Sequence, residues 1–488
     1  MQANIKNSIS TGVVIMVVMR WVDRLIGIVS TLLLARILLP YDFGIVAMAS
    51  VVVGFIDVIF DLGVNVAIIQ RKSPDQSFYN TAWTLRIMQA FAVALLLIAL
   101  APFASDYYHD QRVTGAIQMM AVSLLIASFE NIGIVNFQKD LNFIADARFV
   151  LLKRLTSFFF TIALTLALES YWGMIIGALC GRLFGTILSF SVHPMRPRFS
   201  LQDFRAIFTV SQWIFVKNIS QYLDRNLHII FVGGVSKTAV TGGYTLANEI
   251  SDVPGTDLLA PINRVLFPAF ARVKDDRKKL TELLLLSQSI QVMVTFPACV
   301  GFVMTANEFV RLALGQKWMF IVPFIQVLAL SNIIYSICSS SNYVLTVIGQ
   351  IRVLALTSWA QIIIFIAGIW LFRESLDALV IAEIRFVAIF LTFGVSYYIL
   401  NKYIPTVSIS AMFKGLIRPT LGCIAIVGIL RFIDQLEYIS VPFLLVFKIT
   451  AGILIYSSVV LILWIILGRP EGAERYFINR FGRTRSNY

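Results

Sequence analysis

Apolar segments of about 20 residues or more, the length with which an α-helix spans the hydrocarbon core of a bilayer, follow one another along the chain. Short polar segments separate them. The pattern predicts an all-α integral membrane protein with fourteen transmembrane helices. The predicted helices cover residues 9–38, 42–69, 79–104, 113–137, 143–168, 173–193, 209–235, 239–268, 280–306, 318–347, 351–372, 376–400, 411–433 and 441–467.

The composition excludes a soluble protein. Hydrophobic residues make up 58% of the 488 positions and charged residues 14%, with a mean hydropathy of +0.82. Soluble domains contain about 25% charged residues. The longest polar segment covers residues 469–488, which leaves no room for a soluble catalytic domain. Walker A, D-x-D, H-E-x-x-H and G-x-S-x-G motifs are also absent, so we expect neither an enzyme nor direct use of ATP.

The positions of the basic residues explain the net charge of +13. Most loop Lys and Arg residues lie in alternate loops, on the side that also carries the N-terminus. The positive-inside rule places these loops and both termini in the cytoplasm. We therefore expect no nucleic-acid partner. The four cysteines are scattered within apolar segments, which predicts buried thiols and no metal site.

Two similar charged clusters lie far apart in the chain. Residues 20–24 read Arg-Trp-Val-Asp-Arg, and residues 221–225 read Gln-Tyr-Leu-Asp-Arg. Asp23 and Asp224 are 201 positions apart, and Gly44 and Gly243 are 199 positions apart. The nearly constant offset predicts two six-helix lobes related by an axis along the membrane normal. The predicted domains are an N-lobe at 1–200, a C-lobe at 201–405, and a last segment at 406–488 with helices 13 and 14 and a basic tail.

The charges of these clusters lie near the middle of predicted helices, where insertion of a charge costs about 2.5–3.5 kcal/mol unless it faces water or a partner. Arg20 and Arg24 share a helix face, and Asp23 beside them neutralises part of their charge. This predicts an anion-binding face in a water-filled cavity, with phosphate as ligand because guanidinium binds it with two hydrogen bonds. Asp224 and Arg225 are the counterparts in the second cluster. The alternative is a structural ion pair that ties helix 1 to a neighbour.

Arg182 is a further candidate for this substrate site. It lies in the middle of predicted helix 6 between Gly181 and Leu183, and that helix contains no acidic residue. A lone charge in such a position predicts contact with a cavity or, as the alternative, a salt bridge to another helix.

Asp57 and Asp61 are candidates for coupling transport to a cation. They are four residues apart on predicted helix 2 and therefore share a face. Two close carboxylates repel each other and favour a bound proton or Na⁺. The alternative is that they neutralise Arg20 and Arg24 across the hairpin of helices 1 and 2.

Glu249 and Asp252 form a second candidate pair for cation coupling, three residues apart on predicted helix 8. Pro254 and Gly255 follow directly and predict a kink in the helix. Breaks of this kind in transporter helices often line the pathway. We expect no cofactor other than the gradient of Na⁺ or H⁺.

Five segments carry a resemblance to a known family. The most specific is Leu-Ala-Arg-Ile-Leu-Leu-Pro-Tyr-Asp-Phe-Gly at 34–44. The others are Phe-Asp-Leu-Gly at 60–63, Ile-Gln-Arg at 69–71, Arg-Val-Leu-Phe-Pro-Ala-Phe at 264–270 and Leu-Gly-Gln-Lys-Trp at 314–318. With these segments the chain resembles Wzx-type oligosaccharide flippases of the multidrug/oligosaccharidyl-lipid/polysaccharide exporter superfamily, in particular the colanic acid exporter branch. The segment at 232–237 departs from the family, which usually has Gly-Arg after helix 7.

The resemblance implies two six-helix lobes plus two helices, and a transporter of undecaprenyl-pyrophosphate-linked oligosaccharide. It implies movement from the cytoplasmic to the periplasmic leaflet of the bacterial inner membrane, for the assembly of surface polysaccharide. By position, Arg20, Arg24 and Arg225 match cavity cations of the family. The implied partners are the lipid-linked oligosaccharide, membrane lipids, a polysaccharide polymerase and a chain-length regulator.

Three other functions remain open from the sequence. A cation-coupled multidrug exporter of the same superfamily is the main alternative, although four arginines in a cavity of low dielectric constant repel cationic drugs. A membrane glycosyltransferase or polymerase normally needs a large extracytoplasmic loop or a nucleotide-sugar domain, and the chain has neither. The last is a scaffold without transport activity.

Overall fold

The computed structural model describes residues 2–61, 63–71, 74–140, 142–205, 212–435, 440–470 and 472–476. The described residues form helices and connecting segments, with no β-strand among them. The chain divides into two compact units, Met1–Thr245 and Leu246–Tyr488.

Ten α-helices whose bounds the structure describes begin in the first unit, and the last of them continues into the second unit. They are α1 Gln2–Ile37, α2 Pro40–Phe60, α3 Val64–Gln70, α4 Gln76–Tyr108, α5 Arg112–Ser128, α6 Val135–Lys139, α7 Phe143–Leu168, α8 Tyr171–Val192, α9 Gln212–Val235 and α10 Thr238–Asp252. A short 3₁₀ helix, Ile132–Ile134, precedes α6.

The second unit continues from α10 through a π-helical turn, Val253–Asp257. Its helices are α11 Leu258–Val273, α12 Arg277–Phe309, α13 Val322–Val347, α14 Ile351–Leu371, α15 Ala378–Tyr403, α16 Ile409–Ile433 and α17 Val441–Ile466. A second π-helical turn, Val310–Leu314, extends α12.

The prediction of an all-α membrane protein is confirmed. Ten described helices are long and apolar enough to cross a membrane, or eleven if one bent pair counts as a single span. Every predicted span overlaps a helix, but some differ from a single straight span. The number fourteen therefore stays a prediction.

The predicted second span is broken. Its helix α2 ends at Phe60 and α3 begins at Val64, with Gly63 in the left-handed region at φ 61°. This conformation favours glycine because it has no Cβ. The Asp61 carboxylate accepts a hydrogen bond from the Gly63 amide at 2.9 Å and stabilises the turn. Tertiary structure thus shortens a span that hydropathy alone makes continuous.

The predicted fourth span bends by 68° between Ser128 and Ile132. A bend leaves backbone carbonyl groups without their helical partners. The Arg86 side chain on α4 satisfies two of them, since its Nε lies 3.1 Å from the Ser128 carbonyl oxygen and its Nη2 donates to the Glu130 carbonyl oxygen. Lys153 on α7 forms an ion pair with the Glu130 side chain. These two cations in apolar helices are therefore structural.

The kink predicted at Pro254 and Gly255 is present as the π-helical turn that follows α10. Asn332 on α13 donates a hydrogen bond to the Ser251 carbonyl oxygen at 2.8 Å. Gly255 permits this approach, because a Cβ there would lie 2.4 Å from the Asn332 Cβ.

A row of glycines on α8 lets this helix approach α7 closely. The Cβ of any side chain at Gly173 or Gly177 would lie 2.4 Å from the Thr165 or Thr161 Cα atom. The row continues at the same spacing of four residues to Gly181 and Gly185. Small residues at this spacing drive helix association in lipid, where van der Waals packing replaces the hydrophobic effect.

In the first unit, α10 begins against α2. A Cβ on Gly44 would lie 1.9 Å from the Thr238 carbonyl oxygen, and one on Gly242 would lie 2.2 Å from the Pro40 carbonyl oxygen. The Thr238 hydroxyl donates to the Asp110 carboxylate at 2.8 Å. The start of the predicted C-lobe thus packs within the first compact unit. The boundary predicted near residue 200 from the repeat stays a prediction.

Candidate functional site

The charged face of α1 meets α7. Arg20 is exposed, and Asp23 and Arg24 are half-buried. Helix α1 packs against α7, and there the Asp23 Oδ1 atom lies 3.1 Å from Nε of Arg154. The carboxylate that the sequence analysis paired with arginines of its own helix therefore reaches an arginine of another helix.

Arg154 is a site residue that the sequence analysis missed. It lies near the middle of the apolar span 143–168, so the cost of a charge in mid-membrane also singles it out, although this span, unlike predicted helix 6, contains an acidic residue, Asp146. Its guanidinium lies over Gly27 of α1, where a Cβ would lie 2.9 Å from Nη2. Sequence reasoning could find the charge but not the helix that it meets.

Arg182 on α8 and Asp57 on α2 are close enough to interact electrostatically. Asp57 also interacts with Asp61 and with Tyr222 on α9. The Tyr222 hydroxyl donates to the Val51 carbonyl oxygen at 2.6 Å, which holds α9 against α2. The arrangement agrees with both readings of Arg182, because Asp57 is exposed and remains accessible to a ligand.

The second charged cluster lies on α9. Arg225 is exposed and makes no ion pair with any described residue, and Asp224 is half-buried. One turn further, His228 is buried between the Arg225 carbonyl oxygen and the Tyr244 hydroxyl, each 2.9 Å from a ring nitrogen. The carbonyl accepts, so Nε2 carries a proton, and Nδ1 can accept from the hydroxyl. This buried histidine is part of the packing of α9 against α10.

Glu249 and Asp252 belong to the second unit, and Asp57 and Asp61 belong to the first. The Asp252 carboxylate accepts a hydrogen bond from the Asn332 amide at 3.3 Å, beside the π-helical turn. The described residues contain no group of three His, Cys, Asp or Glu side chains that could hold a metal ion.

The sequence profile of the family described as "Polysaccharide biosynthesis protein" matches residues 33–323, more than half of the chain. The chain belongs to this family. The resemblance to Wzx-type flippases is thereby confirmed. The polysaccharide biosynthesis family match begins on α1 after the charged cluster and ends in the second unit, so it covers α2 to α12.

Curated relatives agree with the family. The lipopolysaccharide biosynthesis protein WzxC of Escherichia coli (strain K12) is 27% identical over 320 residues, which are 64% of this chain and 64% of WzxC. The chain thus spans slightly less than two thirds of that relative. The teichuronic acid biosynthesis protein TuaB of Bacillus subtilis (strain 168) is 24% identical over 385 residues, 78% of this chain and 79% of TuaB.

Solved structures show the same fold. The lipid II flippase MurJ in an inward closed conformation has a TM-score of 0.75 at 13% identity, covering 93% of this chain and 99% of MurJ. An inward-facing multidrug resistance MATE family transporter of the MOP superfamily has a TM-score of 0.63 at 13% identity, covering 81% of this chain and 98% of the transporter. These similarities concern the fold alone.

Proposed function

We propose that this protein flips undecaprenyl-pyrophosphate-linked oligosaccharide repeat units from the cytoplasmic to the periplasmic leaflet of a bacterial inner membrane. The product is used for surface polysaccharide such as exopolysaccharide, capsule or O-antigen. The family, the names of the curated relatives and the fold shared with a lipid II flippase support this function. The protein is a transporter and not an enzyme.

The charged face of α1 is the structural observation that best supports the proposed substrate. Arg20 and Arg24 lie there beside the Asp23–Arg154 pair, so arginines outnumber carboxylates three to one on this face. A pyrophosphate is attracted to this group of arginines and accepts paired hydrogen bonds from guanidinium. We assign Arg20, Asp23, Arg24, Arg182, Asp224 and Arg225 to substrate binding.

The alternative is a cation-coupled multidrug exporter, which the similarity to a MATE fold favours. Cationic drugs, however, would meet the arginines of α1 at close range, and repulsion between like charges is strong where water is excluded. The charge of the face therefore favours an anionic substrate.

The energy source is part of the proposal. Asp57, Asp61, Glu249 and Asp252 are the candidates for binding Na⁺ or H⁺ during alternating access. We further propose that both termini are cytoplasmic and that a polysaccharide polymerase and a chain-length regulator use the flipped product.

The test is flipping in proteoliposomes with a fluorescent undecaprenyl-pyrophosphate-linked sugar. A membrane-impermeant quencher measures how fast the label reaches the outer leaflet. We expect flipping that requires the protein and a cation gradient. Gradient-driven export of a cationic dye from the same vesicles, without flipping of the lipid, would establish the drug exporter instead.

A further inference from the structure

The ion pair between Asp23 and Arg154 leaves one edge of the guanidinium open. The pair approaches through Nε of Arg154, which lies 3.1 Å from the Asp23 carboxylate. In the described part of the chain, no hydrogen bond engages Nη1 or Nη2. The Arg154 side chain is 45% exposed, so these nitrogens are accessible. Two parallel N–H groups in this geometry match two phosphate oxygens.

The open edge lies beside the arginines of α1. Arg20, Asp23, Arg24 and Gly27 are spaced by three, four and seven residues, so they share one helix face. Arg154 lies over Gly27, where Nη2 would be 2.9 Å from an added Cβ. A guanidinium from α7 therefore joins the arginine face of α1.

We propose that Arg154 is a further phosphate-binding residue and that Asp23 is its positioning residue. Asp23 orients the guanidinium through Nε, and the Nη1–Nη2 edge binds the pyrophosphate together with α1. Gly27 leaves the room that this orientation requires. The inference rests on the proposed function and adds a second helix to its binding site.

The competing explanation is a structural tie between α1 and α7. The effect of Asp23→Asn on pyrophosphate affinity distinguishes a positioning role of Asp23 from a role as a charge alone. If Asp23 matters only as a charge, Asp23→Asn removes repulsion of the pyrophosphate and tightens binding. If Asp23 positions Arg154, the same substitution weakens binding although it makes the face more positive.

The experiment measures the Kd of undecaprenyl pyrophosphate for the full chain in nanodiscs, together with the thermal midpoint of each variant. We expect Arg154→Gln to weaken binding by about tenfold or more, which corresponds to 1.4 kcal/mol. Arg154→Lys should restore binding only in part, because a lysine cannot offer paired donors. Lys279→Gln, at an exposed basic residue of the second unit, is the matched control for lost charge and should leave Kd unchanged.

Gly27→Ala tests the geometry without changing any charge. Alanine favours a helix over glycine, so folding of α1 is not weakened. The added methyl displaces the Arg154 guanidinium, and we expect binding to weaken several-fold. Gly428→Ala on α16, where an added Cβ meets nothing within 4 Å, is the matched control.

The outcomes either support or overturn the role proposed for Arg154. Weaker binding in Arg154→Gln, Asp23→Asn and Gly27→Ala, with thermal midpoints near that of the wild type, supports the proposal. Unchanged Kd in Arg154→Gln, or tighter binding in Asp23→Asn, overturns it while the proposed function stands. If the wild type does not bind undecaprenyl pyrophosphate, the proposed function itself fails.

Discussion

Two ion pairs, one in each unit, differ in how far their side chains are buried. In the first unit, the Arg154 and Asp23 side chains are 45% and 48% exposed. In the second unit, Arg418 on α16 and Glu474 after α17 form a pair whose side chains are 8% and 3% exposed. Lys448 on α17 is also buried, with Glu308 and Asp434 as partners.

This difference separates charges that serve a ligand from charges that hold helices together. An exposed ion pair contributes about 0–1 kcal/mol to stability, because water screens it and competes for both groups. Breaking a buried pair costs about 3–5 kcal/mol, since the remaining charge stays in an apolar environment. The buried Arg418–Glu474 pair is therefore expected to stabilise the fold, and the exposed Asp23–Arg154 pair leaves its arginine accessible for binding.

The largest effect should come from Glu474→Ala, which leaves the Arg418 charge buried without its carboxylate. We expect a loss of about 3–5 kcal/mol, seen as a lower thermal midpoint and less protein in the membrane. Truncation after Pro470 should do the same, whereas truncation after Tyr476 keeps the pair. Glu282→Ala, at an exposed residue, is the control. Equal thermal midpoints for Glu474→Ala and Glu282→Ala would contradict the distinction between the two ion pairs.

A smaller loss is expected for Gly177→Ala on α8. The new Cβ would lie 2.4 Å from the Thr161 Cα atom, which is backbone and cannot move aside. Overpacking of this kind costs about 1–3 kcal/mol. The measurement is the thermal midpoint, with Gly394→Ala, where nothing lies within 4 Å, as control. A stable Gly177→Ala variant would show that α7 and α8 are not held this closely.

Arg24→Ala should act on function and leave stability nearly unchanged. We expect loss of surface polysaccharide in a complementation assay at normal protein level, because a phosphate ligand is removed. Arg24→Lys should restore polysaccharide only in part, since lysine lacks the paired donors. A wild-type amount of surface polysaccharide in Arg24→Ala would show that the substrate site does not depend on this face of α1.

The smallest effect on stability is expected for the exposed carboxylates Asp57 and Asp61. If they bind the coupling cation, Asp57→Asn and Asp61→Asn should leave substrate binding intact and remove the gradient dependence of flipping. Asp61 also stabilises the turn at Gly63 through its side-chain oxygen, and asparagine keeps that acceptor. Unchanged gradient dependence in both variants would assign these carboxylates to a structural role.

The sequence predicted helices well where one apolar segment is one straight helix. The predicted span 143–168 has the same bounds as α7. The predicted span 351–372 is one residue longer than α14. The sequence could not predict the break between Phe60 and Val64 or the bend after Ser128, because both segments remain apolar across the change. Hydropathy reports how well a segment partitions into lipid and contains no information about its direction.

The sequence by itself determined the class of the protein, since apolar segments of this length leave few alternatives to membrane-spanning helices. It also determined which charges are too costly to face lipid, among them Arg24, Arg182 and Asp57. Tertiary structure decided their partners: Asp23 meets Arg154, and Glu474 meets Arg418. An ion pair joins residues that are distant in the chain, so its existence depends on helix packing. Packing in turn depends on the small residues and hydrogen bonds at each helix contact.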